Sequence, residues 1–527
     1  MTVRTKPYWG GITTILVALI VLVIIDQVRY LFVYPVPDTG MWFGDETWTM
    51  LTLRDLATSG VARVPEAIGS SLAHSNGFIN GSVWLSGILY GLPAALFRSV
   101  LSPVAMGRIV TMLLALISVV VVYRLTRSLQ TLPDAALLGI FALVTSPAFY
   151  FSSHAARLYM ATGLAILLFF WLLLAAFDAP FDKQVRFAFL VPVIAVISLA
   201  VYVHVPALIA IPALYTLWRT GNLRTLKGVA TAFAGFAFGA ILMVGVYWLS
   251  TGSISLLGYG YNQYYNVATS LPVLHLLSWR VQKINTIDRL IQVWDVAWPI
   301  VIALVAGIVT RIRTKAPLSR RERFLMINTL LLLFSWGLFG GPAVFYNIYV
   351  LPVTTVCASI LLMPALPPTA LDPPRGALLI TLVILLAGYA VLHQERFGAV
   401  GARLTTENAR AIHALIDPVA SAVRPPLVLT DEPAINVMAG DPNVRLMTNH
   451  LLLFGYENLP LDQILKEHHV NYLLLYSTVR WHSPFRHLAD SLYVLQAERT
   501  GTLTDQARTY ENPDWNEIDT LRLYKVQ

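Results

Sequence analysis

The feature that most constrains this chain is a succession of apolar runs, each about as long as a helix needs to cross a bilayer. The first runs from Gly11 to Val33. Arg4 and Lys6 precede it, so the positive-inside rule keeps the N-terminus cytoplasmic. Further runs fall at Ile109–Tyr123 and at 133–151, 158–178, 187–203, 205–218, 228–249, 290–310, 324–341, 345–363 and 376–393. Hydrophobic residues make up 56% of the chain and charged residues 13%, with a mean hydropathy of +0.64. A soluble protein carries roughly twice that share of charge. The expected fold class is therefore an α-helical polytopic membrane protein of about eleven spans.

The apolar stretch Phe78–Val100 is ambiguous, because Gly81, Gly87, Gly91 and Pro93 interrupt it. Charge parity decides its place. If it crossed, Arg124 and Arg127 would fall outside. If it lies along the outer surface, they fall inside, and so do Lys183 and Arg186, then Arg219, Arg224 and Lys227, then the dense group from Arg311 to Arg323. The interfacial placement satisfies the positive-inside rule throughout. It leaves the N-terminus in and the C-terminus out, and sets the chain's eleven histidines on or near the outer side. The net charge of +8 then reflects topology-setting loops rather than a nucleic-acid surface.

Beyond residue 394 the character changes. Charge rises, and the apolar runs shorten to strand length at Leu427–Thr430, Tyr472–Ser477 and Leu521–Val526. Helical patterns lie between or before them at Ala402–Val423, Leu461–His469 and Pro484–Ala497. The expected organisation is a transmembrane catalytic domain over 1–393, with outer-loop juxtamembrane helices at 34–107, and an extracytoplasmic soluble α/β domain over 394–527. Cys357 is the only cysteine, so no disulfide forms within the chain. The first run is too long for a removable signal peptide and lacks a small-residue cleavage site, so it is expected to remain as an anchor. Gly235 and Gly239, spaced as GxxxG inside a span, point to close helix packing.

Chemistry is concentrated just past the first run, at Gly44-Asp45-Glu46-Thr47. Two adjacent carboxylates emerging at the outer surface open an amphipathic pattern over Asp45–Ser59. They suit either a helix N-terminus, where the dipole favours an ionised acid, or a reaction centre at the membrane face. A second polar group, His154-Ala155-Ala156-Arg157-Leu158-Tyr159, falls at the outer end of a later run and follows Ser146-Pro147. Arg157 there suits either an anion clamp or an interfacial side chain reaching toward water. The Tyr259, Tyr261, Tyr264 and Tyr265 cluster in an outer loop suits either an interfacial aromatic belt or a sugar-stacking surface.

This arrangement resembles the GT-C glycosyltransferases, and within them the protein O-mannosyltransferase and lipid A aminoarabinose transferase branch. That family has a cytoplasmic N-terminus, one span, an acidic pair opening a large outer loop, and an Arg-x-Tyr element at the outer end of its fourth span. Arg157-Leu158-Tyr159 fits that element. Phe345-Tyr346-Asn347-Ile348-Tyr349-Val350-Leu351-Pro352 is similar to the family's Arg-Tyr…Pro segment, without its arginine. Leu72-Ala73-His74-Ser75-Asn76 stands where the family carries His-Pro-Pro.

The resemblance implies transfer of a sugar, hexosyl or pentosyl, from a polyprenyl-phosphate donor to a hydroxyl on a glycan, lipid or protein acceptor. It implies Asp45 as base, with Glu46 orienting it or helping to hold a divalent cation such as Mg or Mn. Arg157 would clamp the donor phosphate, with His154, Tyr159 and Arg108 assisting, and His74, His204 and Tyr346 are candidate substrate contacts. The lipid bilayer would hold the polyprenyl tail, and a bacterial inner (plasma) membrane is the expected location. The competing class is a transporter that flips a lipid-linked sugar unaltered. Few charges at span centres, no inverted repeat and an appended outer domain weigh against it.

Overall fold

A computed structural model of the chain describes residues 10–33, 87–97, 100–101, 103–129, 131–154, 158–198, 205–251, 279–339, 348–362, 410–419, 426–430, 444–446, 465–466, 469–477, 489, 493–501 and 519–526. The helices are α1 (Gly10–Val33), α2 (Leu92–Leu96), α3 (Pro103–Ser128), α4 (Pro133–Val144), α5 (Pro147–His154) and α6 (Tyr159–Asp178). They continue with α7 (Phe181–Ile197), α8 (Val205–Arg219), α9 (Leu226–Thr251), α10 (Trp279–Thr314), α11 (Arg320–Phe339) and α12 (Leu351–Leu362). Among the described residues four helical stretches are long and apolar enough to cross a membrane: Ala105–Ser128, Tyr159–Asp178, Leu226–Gly245 and Ala297–Thr314. The bent pair α4 and α5 makes a fifth if it counts as one span. The expectation of about eleven spans also draws on 376–393, which lies outside the described residues.

Contacts along the helices sort their ends into two groups. At one end Thr13 of α1 donates a hydrogen bond to the buried carboxylate of Asp134, which opens α4, and Arg127 of α3 donates to the main chain at Thr131. At this end, too, α11 meets α6 and α8: Arg321 pairs with Asp178 at 3.0 Å, Phe324 stacks on Phe177, and Tyr215 lies against Phe324. Arg311, closing α10, donates to Ile360 O at 2.6 Å near the end of α12. The basic residues that the sequence strings along separate loops thus gather at one end of the bundle. Since α1 and α4 run parallel and a short turn joins α3 to α4, the chain leaves α1 and enters α3 at the same, opposite end.

Small residues let helices approach. A Cβ on Gly235 would lie 2.3 Å from Phe189 O, and one on Gly239 would lie 3.1 Å from Val193 O, so the GxxxG spacing serves the contact of α9 with α7. Where α10 turns into α11, Ser319 and Glu322 form a reciprocal cap. Glu322 N donates to Ser319 Oγ at 3.3 Å, and Ser319 N donates to Glu322 Oε2 at 2.6 Å. Glu322 Oε1 also meets the buried Arg311 guanidinium at 3.5 Å.

One expected span is broken. The run 133–151 does not continue as a single helix: α4 ends at Val144 and α5 restarts at Pro147, bent by 69°. The cause is local, because the residue before a proline is disfavoured in helical geometry and Ser146 holds that position.

The C-terminal part forms a five-stranded mixed sheet in the order β2-β1-β3-β5-β4, from β1 (Val428–Thr430), β2 (Val444–Leu446), β3 (Tyr472–Ser477), β4 (Val494–Gly501) and β5 (Asp519–Lys525). β1 pairs in parallel with β2 and β3, and β5 runs antiparallel to both β3 and β4. Leu429, Leu473, Leu475 and Tyr524 fill one face; Val428, Leu474, Leu521 and Leu523, with the helix at 410–419, fill the other. The helix expected over Pro484–Ala497 is corrected at its end: Ala489 is helical, but Val494–Ala497 belong to β4. Val494-Leu495-Gln496-Ala497-Glu498-Arg499 has helix-forming composition, but pairing with β5 overrides it, and a bulge between Leu495 and Ala497 blurs the strand alternation.

Candidate active site

The break between α4 and α5 lies at the end of the bundle opposite the basic loops, and each of the last four carbonyls of α4 finds a donor. A helix end leaves its last four carbonyls without partners. Phe141 O accepts from Thr145 N and from Thr145 Oγ1 at 2.7 Å, and the same hydroxyl reaches Ala142 O at 3.3 Å. Leu143 O accepts from Ser146 Oγ at 2.6 Å. The fourth carbonyl, Val144 O, is met by another helix: Gln27 of α1 donates through Nε2 at 2.8 Å. Ser146 then caps α5, its main-chain oxygen accepting from Phe149 N and Tyr150 N.

Gln27 is fully buried, in a stripe otherwise made of Leu16, Ile20, Val23 and Leu31. Its Oε1 has no hydrogen-bond partner among the described residues. Its own main-chain oxygen lies 2.7 Å from His154 Nε2, at the last residue of α5. His154 Nδ1 lies 2.6 Å from Tyr150 O and 3.1 Å from Ser153 Oγ, and the imidazole lies against the Tyr150 ring at 4.3 Å. Both ring nitrogens thus lie against protein oxygens, and Gln27 of α1 meets both the end of α4 and the end of α5.

Downstream of the break, Leu158 and Ala161 pack with Tyr90 in a small buried cluster backed by Leu89, Val110 and Leu114. Tyr90 also sits 3.4 Å from Thr111 Oγ1, one turn along α3 from the buried Arg108. Tyr159 opens α6 with its ring 6.4 Å from that of Tyr349, and Gly163, one turn on, faces the Ile348 main chain. Of the residues singled out in the sequence, the structure therefore brings His154, Tyr159 and Arg108 to one end of the bundle. Asp45, Glu46, His74, Arg157, His204 and Tyr346 lie outside the described residues. Two residues the sequence did not single out belong to this end, Gln27 and Tyr349. An amide interrupting an apolar helical stripe is the signal that marks Gln27. Among the described residues no group of three His, Cys, Asp or Glu side chains converges to hold a metal ion.

The whole chain is similar in structure to ArnT, the aminoarabinose transferase of Cupriavidus metallidurans. Against its crystal structure bound to undecaprenyl phosphate the TM-score is 0.57 at 15% identity, covering 98% of this chain and 98% of that one. Against the apo state it is 0.55 at 14% identity, covering 97% and 98%. The apo form of the Archaeoglobus fulgidus oligosaccharyltransferase matches with a TM-score of 0.49 at 12% identity, over 90% of this chain and 70% of that one. No protein-family model matches the chain, and no curated protein matches it in sequence. The chain has the GT-C fold.

Proposed function

We propose that this chain is a membrane glycosyltransferase that moves a sugar from a polyprenyl-phosphate donor to an acceptor hydroxyl at the extracytoplasmic face. The observation that carries the reading is the likeness over 98% of both chains to ArnT bound to undecaprenyl phosphate. The gathering of basic loops at one end of the bundle supports it, since the positive-inside rule makes that end cytoplasmic and the His154–Tyr159 end extracytoplasmic. The residues after 394 then stand outside as well, in a membrane of the bacterial inner type.

The reaction needs an acceptor oxygen to attack the anomeric carbon while the bond from that carbon to the phosphate oxygen breaks. Asp45 takes the proton from the attacking hydroxyl, a role that contributes about 10²–10⁴ in rate. Glu46 orients Asp45. Arg157 stabilises the charge that grows on the departing phosphate, and its planar fork suits two phosphate oxygens at once. Tyr159 and Arg108 assist in holding the phosphate, and His74, His204 and Tyr346 are the proposed contacts to sugar and acceptor. His154, the last residue of α5, supports the clamp from its place 2.7 Å from Gln27 O. Among the described residues no three His, Cys, Asp or Glu side chains come together for a Mg or Mn ion.

The test is to incubate purified chain with a panel of synthetic polyprenyl-phosphate sugars and an envelope-lipid acceptor extract. Acceptor-dependent release of polyprenyl phosphate is expected for one sugar class. Translocation of intact donor across proteoliposomes, with no release for any sugar, would replace this reading with a transporter.

A further inference from the structure

A glutamine with no exposed surface, set in the apolar stripe of a membrane helix, is costly to desolvate unless its hydrogen bonds do something specific. Gln27 meets both ends of one segment. Its amide holds Val144 O at the end of α4, and its main-chain oxygen lies 2.7 Å from His154 Nε2. The segment from Val144 to His154 is therefore braced at its start and its finish by a single residue of α1. In sequence, His154 precedes Arg157 by three positions, and Leu158, which follows Arg157, is anchored in the Tyr90 cluster. Val33, closing α1, leads into the stretch that carries Asp45.

We propose that Gln27 and His154 are positioning residues. By holding the end of α4 and the end of α5 against α1 they fix where the chain leaves α5, three residues before Arg157 in sequence, and so support phosphate binding by Arg157. This rests on the glycosyltransferase reading above. The brace acts at two separable bonds. Gln27→Leu removes the bond to Val144 O and leaves the main-chain oxygen for His154, whereas His154→Phe keeps the ring shape and removes both of its nitrogen contacts.

The experiment is a double-mutant cycle on the purified full-length chain, with undecaprenyl phosphate binding and donor turnover as readouts. Gln27→Leu and His154→Phe are made in the parent and in Arg157→Ala, with thermal unfolding measured alongside. Each is expected to weaken undecaprenyl phosphate binding roughly 10-fold in the parent, the worth of one buried hydrogen bond, and less than about two-fold once Arg157 is gone. A role confined to folding would lower thermal stability and leave the losses equal in both backgrounds. Equal losses, or no loss in the parent, would overturn the proposal. Gln27→Met carries the same comparison where Gln27→Leu yields no folded protein. Should Arg157→Ala alone bind undecaprenyl phosphate like the parent, the phosphate-clamp reading itself fails. A strong Arg157→Ala defect beside normal Gln27→Leu and His154→Phe binding sinks the brace alone.

Discussion

Replacing Gly163 by alanine tests the close approach of α6 to the Ile348–Tyr349 turn. A Cβ there would lie 2.7 Å from Ile348 O and 3.5 Å from its carbonyl carbon. Ordinary contact begins at about 3.5 Å, so the two backbones must part by ~0.8 Å. Neither side yields cheaply, because Ile348 and Tyr349 are buried and the obstructing atom is main chain. Overpacking of this kind costs about 1–3 kcal/mol. Alanine also gains roughly 1 kcal/mol over glycine as a helix former, which would mask part of the loss. Gly245 on α9 supplies the control, since a Cβ there meets nothing within 4 Å. The difference between Gly163→Ala and Gly245→Ala cancels the propensity gain and isolates the clash. Thermal unfolding of the two variants in one detergent should place Gly163→Ala below the parent and Gly245→Ala at or above it. Donor turnover should fall only in Gly163→Ala, because the displaced turn carries Tyr349 away from Tyr159. Gly163→Ala as stable and as active as Gly245→Ala would refute the close approach.

Single cysteines placed at the exposed Val100 and Arg124 report topology, because native Cys357 is buried and silent; Val100 should label from outside and Arg124 only from inside. Glu322→Ala, which removes both the cap on α11 and the partner of the buried Arg311, should cost about 3–5 kcal/mol and depress thermal stability more than Glu322→Gln, which keeps a capping oxygen. Arg157→Lys should lower turnover at least about ten-fold despite the retained charge, because an ammonium cannot reproduce the planar fork; turnover within two-fold of the parent would mean that charge alone suffices.

The membrane helices were legible because an apolar run of sufficient length has few other fates, and the basic loops that set parity in the sequence meet at one end of the bundle. The break at Thr145-Ser146 was visible only in part. Ser146-Pro147 announces a weak point, but whether a spanning helix bends or breaks there depends on who serves the freed carbonyls, and Val144 O is served by Gln27, 117 residues away in sequence. A separation of 127 residues likewise hid the contact of His154 Nε2 with Gln27 O on α1. Strands β1, β3 and β5 announced themselves as apolar runs. β2 is three residues long, and β4 lies at an edge with Glu498 paired to Arg522 across the ladder, so its sequence carries a helix former's composition rather than strand alternation. Tyr349 sat in a segment already marked for its resemblance, yet only the packing of α6 separates it from Tyr346 as the ring beside Tyr159.

The most direct test of transfer chemistry at this membrane face is the split between binding and turnover in Asp45→Asn. The amide keeps the shape of the carboxylate and removes its basicity, so undecaprenyl phosphate should bind to the variant as it does to the parent. Release of polyprenyl phosphate from the accepted donor should fall by about 10²–10⁴. Turnover within a few-fold of the parent, with binding intact, would contradict the account and remove Asp45 from the reaction.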